Sequence, residues 1–136
     1  PLNGSYQRVG STIYFGHVHE LPADATTFEL VHPKVATVAR DKNHLYFKGN
    51  IVAEANPASF YFLEACIAAN APRYRECAIP FYAKDDRYAY FVNVPFLIKV
   101  IKTRDIDHFR FEIIDGIGYG RDRTYRYEKG KRRKLS

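Results

Sequence analysis

The chain has no methionine, no tryptophan, only two cysteines, and no apolar run near the length of about 18 residues that a membrane-spanning helix needs. That last absence excludes a helical membrane span and predicts a chain that is soluble as given. The opening Pro1-Leu2-Asn3-Gly4-Ser5 has no charged segment leading into an apolar stretch, so it is not a secretory signal. A start without Met fits a mature chain whose signal peptide has been removed, or a piece of something longer. Cys66 and Cys77 lack the close CxxC spacing of a redox or zinc site. They read either as two buried thiols or as one disulfide, the second requiring an oxidising compartment.

What is present is aromatic. Against the missing Trp and Met stand 11 Tyr and 10 Phe, so bulky β-favouring rings must carry much of the packing and a mostly β protein is expected. The 136 residues, 46% of them apolar, suit one compact domain. The net charge of +6 is confined to one end. Residues 118–136 carry Arg121, Arg123, Arg126, Lys129, Lys131, Arg132, Arg133 and Lys134 against Asp122 and Glu128, which is 8 minus 2; the first 117 residues hold 13 basic and 13 acidic side chains.

A degenerate repeat runs through the chain. Shifting by 32 residues brings Arg8 onto Arg40, Ser11-Thr12-Ile13-Tyr14-Phe15 onto Asn43-His44-Leu45-Tyr46-Phe47, and Asp24-Ala25-Thr26-Thr27-Phe28 onto Asn56-Pro57-Ala58-Ser59-Phe60. A third copy starts near Tyr82 with Asp85-Asp86-Arg87-Tyr88-Ala89-Tyr90-Phe91 and ends on Asp105-Ile106-Asp107-His108-Phe109, after an insertion around 64–80. A truncated fourth runs from Tyr119 to Gly130.

Each copy has a physical reading. A head Asp suits a tight turn, because its carboxylate can accept backbone N–H groups two residues on. The β-formers after it and the Gly-containing turn at Lys48-Gly49-Asn50 make a hairpin. The Asx-x-x-x-Phe segments pair an N-cap residue with a ring one turn later, predicting a short helical turn that pins Phe into the core. After the Asn56-Pro57 cap, Phe60, Leu63 and Ile67 give a helical stripe that Ala71-Pro72 would stop.

These strings resemble the bacterial DKNYY family, named for Asp-Lys-Asn-x-x-Tyr-Tyr followed by a Gly turn and an Asp-Pro-x-x-Phe-like segment. Asp41-Lys42-Asn43-His44-Leu45-Tyr46-Phe47, Gly49 and Asn56-Pro57-Ala58-Ser59-Phe60 match nearly in full. The other copies depart: Val9 replaces the first Asp, the third reads Asp85-Asp86-Arg87, and the fourth reads Asp122-Arg123-Thr124. The resemblance implies a binding or packing module of envelope proteins, or an immunity factor that blocks a cognate secreted toxin of a type VI or similar system in the periplasm, with the cytoplasm as the alternative. It implies no catalytic residues.

The expected fold is therefore α+β and β-rich: stacked repeats of β-hairpin plus short helical turn, with full copies at about 5–36, 37–78 and 79–116, a partial one at 117–136, and one helix near 58–70.

Other chemistry finds little support in the residues. His17 and His19 alternate on a probable strand, but two ligands do not make a metal site. Asp85-Asp86 and the pair Asp105 and Asp107 fall on the repeat's own turn and cap positions, which already accounts for them. Cys66 and Cys77 lie in no nucleophile context, and Gly116-Ile117-Gly118-Tyr119-Gly120 lacks the Lys-Ser/Thr of a phosphate loop. No catalytic residue, metal or cofactor is expected.

The basic end has three readings. Arg121, Arg123, Tyr125, Arg126, Lys129, Lys131 and Arg132 form a landing patch for an acidic protein such as a toxin, a nucleic-acid surface, or a solvated edge that deters aggregation. The protein-partner reading leads, the solvated edge comes second, and nucleic acid is the least favoured of the three. The edge of a truncated unit would also let two copies pair as a homodimer. Since repeat positions are structural in every copy, function should lie where the copies differ: the insertion with the cysteines and the charged fourth copy.

Overall fold

The computed structural model describes residues 6–16, 19–33, 35, 37–70, 81–93, 97–115 and 117–134. The described chain is mostly β, in four small antiparallel sheets whose strands pair in chain order. It divides into two compact units, Pro1–Phe60 and Tyr61–Ser136.

The first unit holds two sheets. The first has strands β1 (Tyr6–Val9), β2 (Thr12–Phe15) and β3 (His19–Leu21); the second has β4 (Glu29–Leu30), β5 (Val38–Arg40), β6 (Leu45–Phe47) and β7 (Asn50–Ile51). The second unit opens with β8 (Tyr61–Phe62), α1 (Glu64–Asn70), β9 (Phe81–Lys84), β10 (Ala89–Asn93) and β11 (Leu97–Ile101), whose strands form the third sheet. A 3-10 turn, Ile106–His108, leads to β12 (Arg110–Ile114), β13 (Ile117–Arg121), β14 (Tyr125–Glu128) and β15 (Lys131–Lys134), the fourth sheet. The helix is described over Glu64–Asn70 and starts later than Ala58; the predicted stop at Ala71-Pro72 lies outside the described residues. Residues up to Phe60 are held in the Asx turn, and Tyr61 and Phe62 pair with Lys84 and Ala83 of β9.

One hydrogen-bonded node explains the repeat. In the second, third and fourth copies the head carboxylates of Asp41, Asp85 and Asp122 each accept with Oδ1 the N–H groups two and three residues on, at 2.7–2.8 Å. With Oδ2 each accepts the hydroxyl of the Tyr five residues on: Tyr46 at 2.9 Å, Tyr90 at 2.7 Å and Tyr127 at 3.1 Å. The Asp N–H bonds the carbonyl three residues on at 3.0 Å, closing the turn between paired strands. All three carboxylates are buried, which such saturation permits. The first copy has Val9 at the head, and a Gly turn replaces the node: Gly10 sits at φ +62° between the paired Val9 and Thr12.

A second recurrent contact lies one residue before the head. Arg8 donates to the carbonyls of Ala25 and Phe28, Arg40 to those of Pro57 and Phe60, and Lys84 to that of Ile106. Each cation thus fastens the Asx-x-x-x-Phe turn of its own copy. The turn in turn buries its ring. Phe28 lies 5.3 Å from Tyr6 and 5.7 Å from Tyr46, and Phe109 lies 6.1 Å from Tyr82 and 5.7 Å from Tyr127.

These parallels reveal a larger period. Asp24, Phe28, Arg40, Asp41, Tyr46, Lys48 and Gly49 recur 81 residues later as Asp105, Phe109, Arg121, Asp122, Tyr127, Lys129 and Gly130. The backbone repeats with them: Lys48 and Lys129 lie at φ 49° and 50°, Gly49 and Gly130 at 81° and 82°. Each unit packs rings from two successive copies together, Tyr6, Phe28 and Tyr46 in the first and Tyr82, Phe109 and Tyr127 in the second.

Candidate partner-binding surface

In β12–β14 charged and polar residues largely alternate with small or apolar ones, β15 being all basic, and antiparallel register sorts the four strands onto two faces. On one face lie Phe111, Gly118, Gly120, Tyr125 and Tyr127. Gly120 is there because Phe109 and Tyr82 approach closely: a Cβ at this position would lie 2.6 Å from the Phe109 ring and 2.8 Å from that of Tyr82. The middle of that face, at Gly120 and Tyr127, packs into the core.

The other face is basic. Arg110 pairs with Arg121, Arg121 with Arg126, and Arg126 with Arg133, so four arginines stand in one row across all four strands, with neighbouring strands about 4.8 Å apart. Lys131 shares the face, as do Glu112 and Glu128, giving five basic minus two acidic side chains, +3. Like charges directly opposite one another cost stability, and Glu112 offsets part of it. Its carboxylate lies 3.7 Å from Arg121 Nη1 and 3.4 Å from Arg126 Nε. The guanidinium of Arg126 also lies over the Tyr119 ring at 5.3 Å.

The 81-residue period makes the contrast clear. Tyr119 and Arg126 occupy the positions of Val38 and Leu45 in the second sheet, where both are fully buried. Glu29 occupies the position of Arg110. Where Val38 and Leu45 make the middle of this face buried and apolar in the second sheet, Tyr119 and Arg126 make it polar and partly exposed in the fourth.

The seven residues singled out from the sequence do not share one surface. Arg121, Arg126 and Lys131 stand on the basic face. Tyr125 and Arg132 stand on the opposite one, with Arg132 over the Tyr125 ring at 4.5 Å. Arg123 lies in the head turn and bonds Asp105 at 3.0 Å through both its N–H and its Nε, while Lys129 lies in the tight turn before β15. Sequence reasoning missed Arg110 and Arg133. The alternation pattern around 110–134 carries the signal, but only a register converts it into a row.

Electrostatics at the fourth head turn follow from the node. Burial raises the Asp122 carboxyl, yet bonds from Thr103, Tyr125, Thr124 and Tyr127 outweigh it and hold the group below its usual range. Burial pushes Tyr127 up to about 12. The carboxyl of Asp105 is held well down, first by its bond from Arg123.

Other candidates fare differently. Cys66 is buried, accepts the Tyr82 N–H at 3.3 Å, and is pushed by burial up to about 12. Its pairing with Cys77 lies outside the described residues, as does His17. Among the described residues no group of three or more His, Cys, Asp or Glu side chains comes together as a metal site, and no helix is long and apolar enough to cross a membrane.

With this geometry in view, comparison with known families is decisive: the pattern of the DKNYY family matches residues 6–135. The chain belongs to the DKNYY family. No curated protein and no solved structure matches it. In this DKNYY protein the Asp and the first ring position of the name-giving string are Asp41 and Tyr46, the two ends of the buried node. The DKNYY signature is therefore a folding device, and the arginine row lies outside its Asp–Tyr node.

Proposed function

We propose that the chain is a binding protein that neutralises a protein partner by covering part of its surface, acting as an immunity protein toward a cognate secreted bacterial toxin. The observation that carries the reading is the row of Arg110, Arg121, Arg126 and Arg133 across the fourth sheet, exposed at Arg110 and Arg133 and partly buried at Arg121 and Arg126. A rigid sheet presenting aligned guanidinium groups suits a carboxylate-rich protein surface, and arginine is enriched among the residues that dominate such interfaces. Occlusion needs no turnover, so no catalytic role is assigned. The toxin assignment, and with it the periplasm, extends the family resemblance of the repeats.

Nucleic acid is the less favoured partner. Tyr119 and Tyr125, the rings nearest the basic residues, each already have a guanidinium over one face, which leaves less ring surface for base stacking.

The test mixes the chain with candidate secreted toxins from the genome that encodes it, in wild-type form and with Arg110, Arg126 and Arg133 changed to Glu. One-to-one binding by the wild type and at least a hundredfold loss in the variant are expected. Undiminished binding by the variant would remove the basic face from the mechanism. Tight binding of single-stranded DNA that falls steeply with salt would favour the nucleic-acid reading instead.

A further inference from the structure

A cleft of about 320 Å³ opens on the side of the fourth sheet that carries Tyr125, Tyr127 and Arg132, opposite the arginine row. Its floor is the fourth head node, the buried pair Asp122 and Tyr127. Three cations from two separate segments converge on it: Lys102 and Arg104, which follow β11, and Arg132 on β15. All three are exposed. Among the described residues Lys102 and Arg104 make no hydrogen bond or ion pair, while Arg132 is steadied by the Tyr125 ring beneath it at 4.5 Å.

The carboxylates at the cleft do not answer these charges, because both are taken. Asp122 accepts the Thr103 hydroxyl at 2.6 Å, the Thr124 and Tyr125 N–H groups at 2.8 and 2.7 Å, and the Tyr127 hydroxyl at 3.1 Å. Asp105 is bonded by Arg123 at 3.0 Å. Counting Arg123 with its partner, four cations stand against two carboxylates, a surplus of two positive charges.

Folding does not require that surplus. Lys102, Arg104 and Arg132 take the places of Leu21, Ala23 and Ile51, 81 residues earlier, and there Asp41 holds its turn and Tyr46 just as Asp122 does. The charges are an addition to a node that is complete without them. Cations gathered at one concave opening repel one another and focus a field that draws in an anion.

We propose that this cleft binds a phosphate monoester group, with Lys102 and Arg104 contacting it from one side, Arg132 from the other, and the Thr124 hydroxyl as a further donor. A dianion matches the surplus of two, whereas a single carboxylate leaves one charge unanswered. Guanidinium groups suit phosphate oxygens because they donate in parallel pairs. The volume falls at the small end of small-molecule sites, about 300–1,000 Å³, which favours a phosphate carried on a small organic group. The site is separate from the arginine row and stands whether or not that row binds a toxin.

The probes are inorganic phosphate and glycerol 3-phosphate, titrated into the intact chain while backbone amide and arginine Nε–H signals are followed by NMR. Potassium chloride at matched ionic strength is the control. Saturable shifts at 102–105, at 122–125 and at Arg132 are expected with both probes and not with chloride. Changing Lys102→Leu together with Arg104→Ala, the residues that the first unit carries at these positions, should weaken binding at least tenfold without lowering the Tm of the free protein. An Arg126→Ala, Arg133→Ala variant should bind within twofold of wild type. Sedimentation with phosphatidylcholine vesicles containing phosphatidic acid separates the two sources of such a group. Co-sedimentation that is lost in Lys102→Leu, Arg104→Ala supports the site and assigns it a lipid headgroup; saturable glycerol 3-phosphate binding without co-sedimentation supports it and assigns a soluble ester. No saturable shift with either probe and no co-sedimentation, or binding that survives Lys102→Leu, Arg104→Ala undiminished, would overturn the proposal.

Discussion

Asp41 and Tyr46, five residues apart, share a buried 2.9 Å hydrogen bond across the mouth of a hairpin, and Asp122 and Tyr127 repeat it 81 residues later at 3.1 Å. The carboxylate sets the turn with one oxygen and holds a core ring with the other. A local turn signal and a packing position are thereby coupled through one side chain.

That coupling predicts unequal costs at the two ends. Asp41→Ala leaves the N–H groups of Asp24, Asn43 and His44 and the Tyr46 hydroxyl without their acceptor in a buried site, and should destabilise by roughly 3–4 kcal/mol. Tyr127→Phe removes one donor while Thr103 keeps its 2.6 Å bond to Asp122, and should cost about 1 kcal/mol. Urea denaturation of the two variants checks the ratio. Equal losses would show that the node does not centre on the carboxylate.

The same nodes make the fold acid-sensitive. Asp41 and Asp122 are held below the usual 3.8 because, although burial raises them, the N–H and O–H bonds they accept outweigh it. The unfolded chain therefore takes up protons first as pH falls. The stabilisation is complete above the unfolded value and is lost progressively below about pH 4. Tm measured from neutral pH downward should fall most steeply there, and Asp122→Asn should flatten the slope.

How much of this could be read from residues alone differs by feature. The hairpins, the Asx turns and the buried Phe28, Phe60 and Phe109 follow from local chemistry, because turn and cap signals act over a few residues. The helix start was misplaced because pairing of Tyr61 and Phe62 with β9, a non-local contact, took residues that otherwise fit a helical stripe. The binding residues were the least legible. Arg121 and Arg126 were found by charge alone, but Arg110 lies outside the basic segment and Arg132 turns to the opposite face, and both facts depend on strand register. The 81-residue period was readable in Arg-Asp-x-x-x-x-Tyr-x-Lys-Gly at 40–49 and 121–130, hidden by the shorter 32-residue offset.

At the alkaline end the rings take over. Burial pushes Tyr6 and Tyr82 up to about 12, against opposing bonds from the N–H groups of Gly49 and of Gly120, Gly130 and Lys129. A raised native value means stability is complete below the unfolded value of 10.0 and declines as pH climbs toward 12. Absorbance titration should show late tyrosine ionisation that coincides with loss of the near-ultraviolet dichroism. Ionisation of all tyrosines near 10 with the fold intact would contradict the burial.

Gly120 tests the packing of the second unit. Its φ needs no glycine, so Gly120→Ala isolates the steric effect of a Cβ 2.6 Å from Phe109 and 2.8 Å from Tyr82. Two rings already in contact with Tyr127 and Phe91 cannot both withdraw without loss. Overpacking of this kind costs roughly 2 kcal/mol. Thermal unfolding of the variant checks it, and an unchanged Tm would mean that the rings are looser than the geometry indicates.

Arg40 and Arg121 occupy equivalent positions and should respond differently to the same change. Arg40→Ala releases the 3.3 and 3.1 Å bonds to the carbonyls of Pro57 and Phe60 together with the 3.1 Å pair to Glu29, and should cost roughly 2 kcal/mol. Arg121→Ala loses one 3.1 Å bond to the adjacent Asp122 carbonyl and a 3.7 Å contact to Glu112, which keeps Arg126, and relieves like-charge crowding in the row, so its cost should stay at about 1 kcal/mol. The difference is the contribution of the fastened turn. Hydrogen exchange should locate it, with the amide of Phe60, bonded to the Asn56 carbonyl at 3.1 Å, losing protection in Arg40→Ala alone.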